Sequence, residues 1–370
     1  MSEHLLCLTD SLRHRGPDDE GFAFFSKNQH SPRMFGGADT PDSVYHAHLA
    51  YTPHQPFNRS IPEDTFLALG HRRLSILDLS PAGHQPMCNE DGSLWIIYNG
   101  EIYNFQDVRA ELLSCGHHFV SQTDTEVILH AYEQWGEDCL HKFNGMWAFV
   151  IYEATKNVLF GARDRFGVKP LYYSLDQHFF VFASEIKALL ALPVIKKDAC
   201  SQAVFDYLVL DINAPQEQGF FQQIHELRPA HAFYYHVAPQ TLRLWPYYTL
   251  EFSDAWETFS EQVNAQYVER LKQNALNAVK LRLQADVPVG SCLSGGIDSS
   301  SIVCLINQLL QQESFEQIGE RQKVFTASYP GERIDESQWA QRVVENTHTA
   351  WHRTFPTAQE FLTDLEDLVY

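Results

Sequence analysis

The sequence predicts two domains of different class: an α+β domain built on an antiparallel sheet, followed by an α/β domain built on a parallel sheet. Three observations lead there. Up to residue 183, short strand-like runs follow one another with few helices between them. At Asp286–Ser301 (DVPVGSCLSGGIDSSS), an apolar run of strand type breaks at a double glycine and opens directly into a helical pattern. A second strand-like run, Val324–Tyr329, then precedes a helical segment at Asp335–Val344. The expected boundaries are 1–213 for the first domain, 214–260 for a connecting segment and 261–370 for the second domain.

Composition allows this. A chain of 370 residues, 44% hydrophobic and 20% charged, can bury two cores. The formal net charge of -20 argues against a nucleic-acid backbone or an anionic membrane as partner. Seven cysteines without a C-x-x-C pair read as reduced thiols, with neither a disulfide frame nor a zinc cluster. The 18 histidines include no H-E-x-x-H, so metal binding through them is not expected. No apolar run has membrane-spanning length, and the first residues lack the basic and apolar regions of a signal peptide. A soluble, cytoplasmic protein is expected.

The elements follow in order. Residues 4–13 place Leu5, Leu8 and Leu12 at helical spacing, and the run stops at the Gly16-Pro17 turn. Residues 26–66 are polar and aperiodic, and are expected to form a surface excursion. Leu67–Leu79 reads as a strand, a tight basic turn and a second strand; two arginines there could hold a carboxylate through forked hydrogen bonds. Leu94–Tyr98 is a strand running into Asn99-Gly100, either a plain turn or an oxyanion hole made by the Gly100 N–H and the Asn99 amide. Phe105–Cys115 and Val127–Trp135 are helices, the second capped by Asp124-Thr125-Glu126. Gly145–Tyr152 and Asn157–Ala162 form a hairpin, Phe179–Ala183 is a strand, and Ser184–Lys187 opens a helix. Residues 193–260 are mixed. Val263–Leu283 is an amphipathic helix, and another helical pattern starts near Thr357.

The stretch at Asp286–Ser301 carries the chemistry. Glycines let a backbone approach an anion closely, and the N–H groups of a helix's first turn point at it. Ser294, Ser299 and Ser300 add hydroxyl donors. Asp298 would repel phosphate unless Mg²⁺ lies between them. No Gly-Lys-Ser/Thr follows, so this is not a Walker A loop. A helix merely capped by Ser and Asp is the plainer reading, but a double glycine between two serines and an aspartate, placed after a buried-type strand, is more than capping needs.

Six segments now stand in one order: HRGPDDEG (14–21), GHRRLSI (70–76), NGEIYN (99–104), RDRFGVKPLYY (163–173), SEIKAL (184–189) and LSGGIDSS (293–300). Together they resemble the glutamine-dependent asparagine synthetases over nearly the whole chain. The resemblance implies an Ntn-like, glutaminase-type antiparallel sandwich over 1–213 and an ATP-pyrophosphatase-type synthetase domain over 261–370. In the family, glutamine is hydrolysed and its ammonia passes through an internal tunnel. ATP activates aspartate as β-aspartyl-AMP, and the ammonia converts this to asparagine. By motif, Arg73 would hold the glutamine carboxylate, with Ile76 and Leu77 lining that pocket. Glu101 and Asp124 would take the amino group, and Asn99 and Gly100 would form the oxyanion hole. Leu293 and Ala327 would flank adenosine. Ser294, Gly295, Gly296, Asp298, Ser299 and Ser300 would take the pyrophosphate, with Asp298 on Mg²⁺. Asp335 and Glu336 match an Asp-Glu pair near the nucleotide. Implied ligands are glutamine, aspartate and ATP, with neither nucleic acid nor membrane; a homodimer is left open.

Two departures from the family stand out. Its members begin Met-Cys-Gly-Ile and use the exposed cysteine as nucleophile; this sequence does not, and Cys7 lies inside the first helical run. The family's later SGEGSDE-like motif is also absent. The expectation is a chain incomplete at both ends, its first strand missing and its second domain truncated, that neither hydrolyses glutamine nor makes asparagine. Other readings remain open: another amidotransferase of this fold (β-lactam synthetase-like or polysaccharide-modifying), a catalytically dead module that binds glutamine or ATP, or an unstable remnant.

Overall fold

A computed structural model describes residues 1–29, 31–212, 219–253 and 258–370. The chain divides into two compact units, Met1–Phe252 and Ser253–Tyr370. Six-stranded and three-stranded antiparallel sheets make the first unit α+β, and the second is built on a parallel sheet.

In the first unit, helix α1 (Ser2–Asp10) is followed by β1 (Asp19–Ser26), β2 (Arg33–Gly36), a short α2 (Asp42–Tyr45) and β3 (Thr65–Arg73). These strands form a sheet of order β2-β1-β3. Every residue of β1 is buried, because the strand is central in its sheet and covered on both faces. Residues 26–66 are therefore not only a surface excursion. They supply β2 and α2, and they bury Phe35, Val44 and Tyr51. Leu67–Leu79 likewise contains one strand rather than two, since Arg72 and Arg73 end β3 instead of forming a turn.

The main sheet is built from β4 (Met87–Cys88), β5 (Leu94–Ile102), β6 (Gly145–Glu153) and β7 (Val158–Arg163), with α3 (Phe105–Ser114), α4 (Asp124–Trp135) and a short α5 (Cys139–Lys142) between β5 and β6. After β8 (Tyr172–Leu175), β9 (Phe180–Ala183), α6 (Ile186–Leu190), α7 (Ser201–Leu210) and β10 (His225–Glu226), the chain returns to this sheet. There it adds β11 (His231–His236) and β12 (Thr241–Pro246). The strand order is β12-β11-β7-β6-β5-β4, and β10-β8-β9 form a third sheet. The hairpin β11–β12 thus belongs to the first unit's main sheet, although residues 214–260 were expected to be a connection. Its aromatic side chains explain why: Phe233 and Tyr235 of β11 pack on Phe180 of β9. The expected boundary at 213–214 falls within 213–218, outside the described residues.

The sheets face each other across one apolar core. Phe25 of β1 meets Trp95 and Tyr152 of the main sheet, with ring centroids 5.6 and 4.8 Å apart. Helices α3 and α4 cover the other face of the main sheet through Val108, Leu112, Ile128 and Leu129. Asn99-Gly100 lies inside β5 and pairs with Ala148 and Trp147 of β6, so it is not a turn. Glycine is required at 100 because a Cβ would lie 2.2 Å from the Met146 carbonyl oxygen.

The second unit begins with α8 (Glu261–Leu281) and continues through β13 (Gly290–Cys292), α9 (Ile297–Leu310), β14 (Lys323–Ala327), α10 (Ser337–Thr347), β15 (Ala350–Thr354), α11 (Ala358–Thr363) and α12 (Leu365–Val369). The parallel order is β13-β14-β15. Only two strands were expected after residue 285; the third, AWHRT, is short and polar, and gives no apolar run to read. The seven cysteines stand as free thiols, three of them buried.

Candidate glutamine and nucleotide sites

Within the first unit, a cavity of about 700 Å³ opens between the edges of β3 and β9, above β5 and β6. Among the described residues, each of these edge strands pairs with a single neighbour, β3 with β1 and β9 with β8. Helix α1 runs along the β3 side. Leu5 and Thr9 pack on Gly70, and the Thr9 carbonyl accepts a hydrogen bond from Arg72 Nε at 2.8 Å.

Arg73, Ile76, Leu77, Asn99, Gly100, Glu101 and Asp124 all line this cavity. They come from the end of β3, the loop after it, the middle of β5 and the first residue of α4. The two neighbouring arginines have separated tasks. Arg72 turns away to a cluster of carboxylates, Glu20 at 3.0 Å and Asp39 at 2.6 Å. Arg73 stays buried and donates to the carbonyls of Leu77, Asp78 and Ser80. Its guanidinium therefore shapes the loop holding Ile76 and Leu77, and Gly83 leaves it room.

Asp124 begins α4 beside the N-cap Thr123. Its Oδ2 accepts from the Tyr98 hydroxyl at 2.8 Å and from the Ile102 N–H at 2.9 Å. Burial nevertheless raises its pKa above the usual carboxylate value, and these hydrogen bonds only partly offset that. A cation in the cavity would stabilise the charged form. Asn99 presents the opposite need: its Nδ2 is out of reach of solvent and has no hydrogen-bond partner among the described residues. A buried donor left unmade costs about 1–3 kcal/mol, and a ligand oxygen would recover it.

Several lining residues were not singled out from the sequence. Lys169, from the RDRFGVKPLYY segment, lines the cavity. Burial lowers its pKa, while the Glu101 charge acts the other way. His71 on β3 is held neutral, burial pushing its pKa down to about 3. Gln85 Oε1 accepts from the Tyr98 N–H at 2.8 Å, and its Nε2 donates to Thr125 at 3.3 Å. Lys169 was legible in part, being the one cation of its segment that follows the Gly167 turn. The rest of that segment is structural: Asp164 accepts from the N–H groups of Trp147, Phe166, Val168 and Lys169.

In the second unit, Leu293 follows β13, Ser294 to Gly296 turn the chain, and Asp298, Ser299 and Ser300 lie in the first turn of α9. Gly295 adopts φ +96°, and a Cβ there would lie 2.8 Å from the Glu336 carbonyl oxygen. Ser294 and Ser299 hydroxyls lie 3.0 Å apart, and the Gly296 N–H donates to Ser294 Oγ at 3.3 Å. Leu293 is fully buried, its N–H donating to the Phe325 carbonyl of β14. Ala327, exposed, ends β14 at the same carboxyl edge of the sheet, where ligands of open parallel sheets bind. Asp298 is exposed on α9, a hard oxygen donor of the kind Mg²⁺ takes. Asp335 accepts from the Ser337 and Tyr329 N–H groups, which together hold its pKa below the usual range.

Residues 44–248 match the family described as glutamine amidotransferase domain, and residues 270–370 match asparagine synthase. Asparagine synthetase [glutamine-hydrolyzing] 3 of Bacillus subtilis is 35% identical over 85% of this chain and 51% of its own length. A putative asparagine synthetase [glutamine-hydrolyzing] 2 of Methanocaldococcus jannaschii is 30% identical over 98% of this chain and 63% of its own. A protein named amidase chry2, from Gibberella zeae, is 29% identical over the full chain and 49% of its own length. The chain thus spans about half to two thirds of the length of these relatives.

Proposed function

Since the chain belongs to the glutamine-dependent asparagine synthetase family, we propose that its first unit binds glutamine in the cavity between β3 and β9 and its second binds ATP at the β13–α9 turn. The observation that carries the reading is the convergence of all seven expected glutamine-binding residues on one cavity, with the buried Asn99 Nδ2 unpartnered among the described residues. Asp124 and Glu101 would take the α-ammonium group, which would stabilise a carboxylate that burial otherwise penalises. The Arg73-braced loop would meet the α-carboxylate, and Asn99 with the Gly100 N–H would receive the amide oxygen. In the second unit, the Gly295 turn and the first N–H groups of α9 would receive the pyrophosphate, helped by the serine hydroxyls. Asp298 would hold Mg²⁺, whose role when bound is to neutralise phosphate charge.

The overall reaction, in this reading, is ATP-dependent amidation of aspartate to asparagine through β-aspartyl-AMP. Aspartate as acceptor rests on the names of the two synthetase relatives. The amidase relative supports, as second reading, a different acceptor on the same scaffold.

This 370-residue chain by itself is proposed to bind glutamine without hydrolysing it. The residues lining the cavity include no cysteine, and Cys7 is exposed on α1. Calorimetry with glutamine, paired with a glutamate-release assay, tests this. Saturable binding, weakened about 10- to 100-fold in Asp124→Asn by loss of a charged hydrogen-bond partner, with no glutamate above a no-enzyme control, is the expected result. Absence of binding would remove the glutamine reading, and glutamate release would remove the inactivity.

A further inference from the structure

Within the first unit, among residues that do not line the cavity, two histidines and a glutamate converge at α4. His130 and Glu133 lie one turn apart on that helix and so share a face. His117 arrives from the loop after α3. Gly116, at φ +97°, ends that helix, and the His117 N–H donates back to the Leu112 carbonyl at 3.1 Å. The result is a triangle of ligand atoms. His117 Nδ1 is 3.1 Å from His130 Nδ1, Glu133 Oε2 is 3.3 Å from His130 Nδ1, and it is 3.8 Å from His117 Nδ1.

We infer that His117, His130 and Glu133 form a divalent-metal site of zinc type. Nitrogen and oxygen ligands at about 2.0–2.1 Å around a tetrahedral ion sit about 3.3–3.4 Å from one another, close to the edges of this triangle. When both outer ring nitrogens carry the protons, the two Nδ1 lone pairs face each other at 3.1 Å, an arrangement that a shared cation relieves. The outer contacts also orient the rings. His117 Nε2 lies 3.0 Å from Gln134 Oε1, which keeps the proton on Nε2 and leaves the Nδ1 lone pair free. His130 Nε2 faces Glu126 and Glu90 at 3.8 and 3.9 Å, two carboxylates that favour the proton there and add negative charge around the ion. Glu126 is itself held by the N–H groups of Val120 and Ser121. Three protein ligands, one of them exposed, leave the fourth position to water. Imidazole donors select zinc-like ions over Mg²⁺. The spacing is not H-E-x-x-H, and one ligand comes from a loop, which is why the sequence suggested no histidine metal site. A bound ion would tie the loop after α3 to α4, the helix whose first residue, Asp124, lines the cavity.

The test is equilibrium dialysis of the chelator-stripped 370-residue chain against Zn²⁺, with excess Mg²⁺ present. One Zn²⁺ per chain is expected, lost in His117→Ala and weakened about 10- to 100-fold in Gln134→Ala through the outer contact. Circular dichroism checks that both variants fold. His130 is a poor choice for substitution because it is buried beneath Phe119. Glu133→Gln, at an exposed carboxylate, gives a second variant expected to bind more weakly. Failure of the wild-type chain to retain Zn²⁺ would overturn the inference. So would wild-type affinity in both His117→Ala and Glu133→Gln, because the ion would then sit on other side chains.

Discussion

At the scale of single residues, adjacent positions of one chemical type do different work. Arg72 and Arg73 are neighbours on β3 and point to opposite faces, as strand geometry demands. Arg72 is the hub of an ion cluster, and Asp39 joins it to Arg13. The hydrogen bond from Arg72 holds the Asp39 carboxyl below its usual pKa, and the nearby Arg13 charge adds to this. A lowered folded-state value means the contribution is fully present above the ordinary aspartate value and is lost as pH falls through the folded one. Asp39→Asn should therefore destabilise the chain at neutral pH by about 1–2 kcal/mol. Denaturant titrations at descending pH should show the difference from wild type closing below about pH 4, the range where an ordinary aspartate protonates. A difference independent of pH would show that the charge is not what matters.

At the scale of elements, local signals and long-range pairing divide the credit. The helix at α4 was legible because its apolar positions repeat at helical spacing, but its cap is Thr123, and Asp124-Thr125-Glu126, expected to cap it, form its first turn instead. Strand β2 was not, because RMFG is short and its polar flanks resemble a loop. The strand–turn–helix at β13–α9 was legible because its glycine demand is local. Gly295→Ala should strain that turn by about 1–3 kcal/mol, through a left-handed backbone and a Cβ against Glu336. A lowered melting temperature and weakened ATP binding are the expected readouts, from differential scanning fluorimetry with and without nucleotide. An unchanged ATP response would mean that the turn does not cradle the phosphates.

At the scale of the whole molecule, the two units bury separate apolar clusters. In the first, a main cluster runs from β1 through the main sheet to α3 and α4, beside two smaller ones around α6 and around Phe22, Phe24 and Phe35; in the second, two small clusters surround α9 and β14. Separate cores support separate cooperative transitions. Calorimetric melting of the full chain is expected to resolve two, one raised by glutamine and the other by ATP with Mg²⁺, since each ligand stabilises only the unit that binds it. A single transition raised by both ligands would contradict this.

What the sequence determined by itself was local or ordinal: the class of each half, the glycine turn before α9, the helix at α4, and six segments in a fixed order. These depend on a few consecutive backbone preferences or on motif succession, and both can be read along the chain. Tertiary structure alone decided that β11 and β12 extend the main sheet, that Asn99 lies in a strand with its Nδ2 unpartnered among the described residues, and that His117 meets His130. Each of these joins residues brought together by strand order and helix packing. No period or spacing in the chain encodes which distant side chain will arrive.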